Sequence, residues 1–263
     1  MHAPAEFADI TADVLARIRS RAPRVHCITN SVAQAYTANM LLAAGAIPSM
    51  TISREEIAAF VRGADALLVN LGTFDAERRA AIELALGAKG RGRKGTKPWV
   101  LDPVFIERSP ARAQFAQGLL ARGPAAVRLN QREFAALAGS DAAGKAPARF
   151  ARAKNTIVAL TGNMDVVTDG RRTATIANGH ALMSLVTAMG CAGSALLCAA
   201  LAVEADAWRA AVAALVALGV AGEVAALNAR GPGSFAGAII DALHNLDRAT
   251  LRARTRVSAC KGS

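Results

Sequence analysis

The sequence predicts an α/β fold: a mainly parallel central sheet in a three-layer arrangement, with helices on both faces. Two observations carry that prediction. Short β-branched, apolar runs alternate with longer stretches of helical periodicity, the pattern of repeated strand–helix units. Hydrophobic residues make up 53% of the 263 positions and aromatics only 4%, so the core must be built from Ala, Val, Leu and Ile rather than from rings. A chain of this length buries a substantial core, and residues 1–263 are read as one domain.

Strands are predicted at Arg24–Ile28, Ala46–Thr51, Asp65–Asn70, Pro98–Asp102, Ala125–Leu129, Thr156–Thr161, Asp165–Asp169 and Thr173–Ala177. Helices are predicted near Ala8–Ser20, Ser31–Ala44, Arg54–Val61, Asp75–Leu86, Ala111–Ala121, Gln131–Ala138, Gly190–Val203, Asp206–Asn228 and Ser234–Asn245. The order gives βα repeats, then a small antiparallel region, then three helices. Gly139–Pro147 reads as a loop inserted in the domain.

The apolar run Ala210–Gly222 has 13 residues between Arg209 and Glu223, short of the roughly 20 that cross a bilayer, so a buried helix is expected and no membrane. No basic and then apolar leader opens the chain, which predicts the cytoplasm. Cys27, Cys191, Cys198 and Cys260 lack CxxC spacing, so reduced thiols are expected rather than disulfides or zinc. A formal charge of +11 suggests an anionic partner. Much of the excess lies in KGRGRKGTK (Lys89–Lys97) and in the tail RARTRVSACKGS, which read as solvated loop and fray. Without interleaved aromatics for stacking, nucleic acid is not the expected partner.

In open α/β sheets, ligands gather beyond the carboxyl ends of the strands. There the sequence places Thr29 and Asn30, Met50, Asn70, Asp102, Asn130 with Glu133, Thr161 and the turn TAMGC (Thr187–Cys191). That turn follows a strand-like lead-in and opens a helix, whose unpaired N–H groups and dipole suit phosphoryl oxygens. The same field would lower the Cys191 pKa and fit it to take a proton from an alcohol; alternatively Cys191 is a small buried packing residue. Asn130 and Glu133 form either a capping box or an arrangement in which Glu133 orders the water shell of a magnesium ion. Arg128 can reach a phosphate, and Asp102 either joins a metal site or shapes an Asp-Pro turn. Asn30 or Ser31 can cap the second helix and Ser234 the last, while His26 reads as a structural histidine.

Seven stretches, in this order, resemble hydroxyethylthiazole kinase, a thiamine-salvage family of the ribokinase-like superfamily. They are VHCITNSVAQAYTANMLLAAGAIPSM, ALLVNLGT, WVLDPV, RLNQREFAALAG, VALTGNMDVVTDG, NGHALMSLVTAMGCAGSALLCAALAVE and GPGSF, spanning Val25 to about Asp247. The resemblance implies a ribokinase-like kinase using ATP and Mg2+ to phosphorylate the hydroxyl of 4-methyl-5-(2-hydroxyethyl)thiazole. It implies a homotrimer with active sites between subunits. It also implies substrate binding by Met50 and Ala188, ATP binding by Arg128 and Thr161, metal handling by Asp102 and Glu133, and catalysis by Cys191. Three departures stand out: TAMGC replaces the usual TGTGC, Phe105–Arg108 replaces a small-residue loop, and Asn163 stands where an acidic residue is common. They leave two alternatives, a kinase for another small heterocyclic alcohol or a non-catalytic binder of the same ligands.

Overall fold

The computed structural model describes residues 4–92 and 95–261. Its elements run α1 (Pro4–Arg21), β1 (Arg24–Ile28), α2 (Gln34–Ala44), β2 (Ile47–Ser49), α3 (Ile57–Gly63), β3 (Ala66–Asn70) and α4 (Ala76–Ala88). A short hairpin, β4 (Arg91–Gly92) and β5 (Gly95–Thr96), leads to β6 (Trp99–Asp102), α5 (Pro110–Leu120), β7 (Ala126–Asn130), α6 (Gln131–Ala138), α7 (Ala146–Lys154) and β8 (Ile157–Thr161). The chain ends with β9 (Asp165–Thr168), β10 (Arg172–Ile176), α8 (Met189–Val203), α9 (Ala207–Ala226), α10 (Pro232–Asn245), α11 (Arg248–Arg254) and β11 (Val257–Lys261).

The main sheet has nine strands in the order β11-β10-β9-β8-β7-β6-β3-β1-β2. Pairing is parallel from β2 through β8 and antiparallel from β8 to β11. Residues along one strand alternate between two cores, which makes three layers. On β3, Ala66 and Leu68 face a core with α1, α2, α8, α9 and α10, while Leu67 and Val69 face one with α3 to α6. The first core uses small strand residues, Ala66, Ala126, Ala159 and Ala174, against the alanine-rich α8 and α9. That lets two nearly fully buried helices lie close to the sheet, and it carries α8's first turn to the strands' carboxyl ends.

Most predicted elements are present, with ends shifted by a few residues. The differences have physical causes. The span read as an inserted loop is non-helical through Lys145, but its last two residues begin α7, a helix the sequence did not predict, which Pro147 opens in its first turn and Asn155 closes in left-handed conformation. The tail read as fray instead supplies the last turn of α11, a helix capped by Asp247, and edge strand β11, paired along all of β10, while residues 262–263 lie outside the described residues. Four helices, not three, therefore follow the antiparallel strands. Arg248 and Arg252 fasten this segment to Asp9 of α1, which composition alone could not reveal. Lys89–Lys97 includes the β4–β5 hairpin rather than loop alone, and residues 93–94 lie outside the described residues. The strand-like lead-in to Cys191 is a 3-10 turn, Ala181–Leu185.

Asn30 and Ser31 do not cap α2, whose N-cap position is Ala33, and Gly231 rather than Ser234 occupies that of α10. His26 is satisfied as read, by Ser49 Oγ at 2.8 Å and the Thr51 carbonyl at 3.1 Å. The helix α9 lies within the predicted Asp206–Asn228 span, and at 20 residues it is long and apolar enough to span a membrane by length and composition. It is a core helix here, with 78% of its apolar window buried.

Candidate active site

Parallel strands end on one edge of the sheet, and their last residues supply the site. Asn70 closes β3 and Asp102 closes β6, paired in register. Asn30 lies two residues beyond β1. Facing them is Cys191, in the first turn of α8 and 8% exposed. Its Sγ accepts N–H bonds from Asn30 Nδ2 at 3.1 Å and Asn70 Nδ2 at 3.3 Å. Asn70 Nδ2 also donates to Asp102 Oδ2 at 2.7 Å, and the Ser194 hydroxyl donates to the same oxygen at 2.8 Å. Cys191, Asn70, Asp102 and Ser194 thus form one buried polar chain.

The start of α8 is open. Ala192 N closes the first helical turn on Ala188 O, and neither Gly190 N nor Cys191 N has a backbone acceptor. Helix N-termini of this kind receive anionic oxygens. Arg128, midway along β7, donates through Nη1 to Gly190 O at 2.9 Å, so a cation stands against this turn. A Cβ at Gly193 would lie 3.1 Å from Arg128 Nη2 and 2.9 Å from Leu218, so the bare Cα lets the guanidinium lie along α8.

Asn130 caps α6, and Glu133 completes a capping box. Glu133 Oε2 accepts Asn130 N at 2.8 Å and Oε1 accepts Phe105 N at 3.0 Å. Thr161 pairs in register with Asn130 and lines an open groove of about 640 Å3 with Gln131, Arg132, Gly162, Asn163 and Met164. Met50 follows edge strand β2, half-buried, with no hydrogen bond to the Cys191 cluster. Another cavity, about 370 Å3, lies by the opposite, amino ends of the strands, lined by Pro23, Asp65, Trp99 and Ala125, and no site residue borders it.

Comparison with known proteins fits this geometry. Residues 15–249 match the model of the hydroxyethylthiazole kinase family. The chain belongs to that family. It is 44% identical over 236 residues to a probable hydroxyethylthiazole kinase of Agrobacterium fabrum, covering 89% of each chain. It is 45% identical over 259 residues to a hydroxyethylthiazole kinase of Granulibacter bethesdensis, covering 94% of this chain and 93% of the relative. The structure of hydroxyethylthiazole kinase protein from Pyrococcus horikoshii superposes with a TM-score of 0.90 at 37% identity, over 96% of this chain and all of that one. Pyridoxal kinase of Staphylococcus aureus, 15% identical with a TM-score of 0.65, shares the ribokinase-like fold.

Among the residues that the family resemblance singles out, the structure brings Cys191, Asp102 and Arg128 together around α8 and sets Glu133 and Thr161 beside them. Met50 stands apart on the sheet edge. The expected lowering of the Cys191 pKa is overturned. Burial pushes the thiol up to about 11, the nearby Asp102 charge adds to this, and the two amides and Arg128 only partly oppose it. A helix N-terminus lowers a thiol pKa where water remains; here desolvation wins. Burial likewise raises the Asp102 carboxyl, opposed by Arg128, Ser194 and Asn70, and raises Glu133, to which the Asp102 charge adds.

Both carboxylates suit magnesium in a limited way. Both Asp102 hydrogen bonds fall on Oδ2, leaving Oδ1 without one, whereas both Glu133 oxygens already hold backbone N–H groups. No cluster of three His, Cys, Asp or Glu suited to a metal occurs among the described residues. That donor set fits an ion held mostly by waters and substrate phosphates, as magnesium prefers.

The sequence reading did not single out Ser194, although it sits three residues from Cys191 and hence on the same helix face. It marked Asn70 as a polar residue at a strand end, and Asn30 as that or a helix cap, neither as a partner of the sulfur. What it lacked was the α8 approach that makes them partners of the sulfur.

Proposed function

We propose that the chain is a kinase that transfers the γ-phosphoryl group of ATP to the hydroxyl of 4-methyl-5-(2-hydroxyethyl)thiazole. The observation that carries this is the meeting of Cys191 with the open α8 N-terminus at the strand ends, in a chain of the hydroxyethylthiazole kinase family.

The alcohol oxygen lies at Cys191 and attacks the γ-phosphorus; the new O–P bond forms as the bond to the β,γ-bridging oxygen breaks and ADP departs. Gly190 N, Cys191 N and Arg128 receive the charge on the phosphoryl oxygens. Thr161 holds the nucleotide in the groove beyond β7 and β8, and Arg128, against the start of α8, meets its phosphates. Asp102, through Oδ1, would hold Mg2+ and Glu133 would order its waters, and an ion bound there would neutralise phosphate charge. The Cys191 thiolate takes the hydroxyl proton. Burial keeps that form scarce at neutral pH, so positioning and charge stabilisation provide most of the rate, as is general for phosphoryl transfer.

The Phe105–Arg108 departure does not redirect the proposal toward another alcohol. Phe105 N is tied to Glu133, on the β7 side, whereas Met50 sits past β1 on the other side of Cys191. In this proposal residues 1–263 act as one cytoplasmic domain, and Met50 with Ala188 binds the thiazole at a contact between copies in a homotrimer. Support comes from exposed Leu42, Ile47 and Phe60 on and beside β2, the strand at the sheet edge. The deciding experiment is turnover of a panel of heterocyclic alcohols with labelled ATP, beside light scattering for mass. Preference for a pyrimidine alcohol overturns the thiazole assignment; binding of thiazole and ATP with no product shows a non-catalytic descendant; a monomer overturns the shared site.

A further inference from the structure

We infer that Asn70 is a positioning residue for phosphoryl transfer: its single amide sets Cys191 and Asp102 in one fixed relation. This rests on the kinase reading above and adds to it a residue that acts through the cysteine.

The amide's orientation is determined by its surroundings. Asn70 Oδ1 accepts Gly72 N at 3.0 Å, so Nδ2 must face inward. Inverting the amide would break that bond and set Oδ1 against the Asp102 carboxylate. The two hydrogens on Nδ2 then go to different acceptors, Asp102 Oδ2 at 2.7 Å and Cys191 Sγ at 3.3 Å. Ser194 donates to the same Asp102 oxygen, so the helix that carries Cys191 is tied to β6 by one side chain and to β3 by another.

The sulfur is held from a second direction by Asn30. That approach needs a glycine at position 72, since a Cβ there would fall 2.6 Å from Asn30 Nδ2. Gly72 therefore serves both amides: its N–H orients Asn70 and its missing side chain admits Asn30. The outcome is a sulfur fixed between the ends of β1 and β3, beside the N–H groups suited to the phosphoryl oxygens. Reactions that depend on alignment lose about a hundredfold for a misplacement near 1 Å, so removal of one tether acts on kcat.

A purely structural Asn70, there to satisfy a buried carboxylate, would weaken the enzyme whether or not the cysteine were present. A double-mutant cycle separates the two roles. The alcohol panel is run first on the wild-type chain, and the cycle uses whichever alcohol it phosphorylates. Asn70→Ala should lower kcat about tenfold while KM for ATP stays within about twofold, and in a Cys191→Ala background it should lower kcat no further. Asn70→Ser, which keeps a polar atom but cannot span both acceptors, should repeat the pattern if the alanine variant melts early by circular dichroism. Multiplying effects, or an unchanged kcat in Asn70→Ala, overturn the inference while leaving the kinase reading intact. A wild-type chain that phosphorylates none of the alcohols overturns both.

Discussion

Asn130 and Glu133 cap one another: the Asn130 side chain accepts Glu133 N at 3.0 Å, and the Glu133 carboxylate accepts Asn130 N at 2.8 Å. The second Glu133 oxygen reaches Phe105 N, so one carboxylate joins the start of α6 to the loop that follows Asp102. Glu133→Gln keeps one acceptor oxygen but turns an NH2 donor toward the other backbone N–H, so either the Asn130 or the Phe105 bond is lost. Loss of one of these two bonds should cost about 1 kcal/mol, read as a lower thermal midpoint. If Glu133 also orders water around the metal, the magnesium concentration for half-maximal rate should rise severalfold. A lower midpoint with an unchanged magnesium requirement assigns Glu133 to capping alone.

The raised Cys191 pKa fixes the sign of a pH effect. Below about 11 the thiolate fraction grows tenfold per pH unit, so a rate that needs the thiolate rises with pH across the neutral and mildly alkaline range. kcat/KM with the thiazole alcohol should climb toward pH 10, and Cys191→Ser should flatten this climb while leaving ATP binding in place. An identical profile in the serine variant removes the cysteine from proton transfer.

Much of this site was legible in the sequence because strand ends and helix starts leave local marks. Asp102 stands between an apolar run and a proline, Asn130 and Glu133 have capping spacing, and Cys191 opens an apolar helix. The fold class was legible for the same reason, since the apolar runs that alternate with helical periodicity became the sheet. Asn70 bridging to Cys191 depends instead on α8 and β3 approaching from residues 121 apart. The Cys191 pKa depends on how much water is excluded, which a helix-start pattern does not encode. The tail escaped because its first residue, Arg252, finds Asp9 on α1 only after folding, and its strand finds β10 across the sheet edge.

Ala188 precedes α8 with φ at +68°, in the left-handed region. A side chain there costs about 1–2 kcal/mol, partly offset because glycine loses more entropy on folding. Ala188→Gly should therefore stabilise the folded chain by roughly 0.5–1 kcal/mol, seen as a higher denaturation midpoint in urea. If the Cβ also crowds the phosphoryl group, kcat should rise in the same variant. A gain in stability with unchanged turnover would show that this departure affects folding only.

His26 gives the chain a second, separate response to acid. Its ring is fully buried between Ser49 and Thr51, and burial pulls its pKa down to about 4, with Lys97 adding repulsion and the Thr51 carbonyl opposing. The unfolded chain binds that proton near pH 6.5, the folded chain only near 4, so between these values the unfolded state holds more protons. Stability from this residue is full above pH 6.5 and falls as the pH drops to 4, by about 3 kcal/mol in all. Urea titrations at pH 7, 5.5 and 4.5 measure it as the difference between the wild-type chain and His26→Asn. The variant should begin less stable at pH 7 and lose less on acidification; parallel losses would assign the acid sensitivity to other groups.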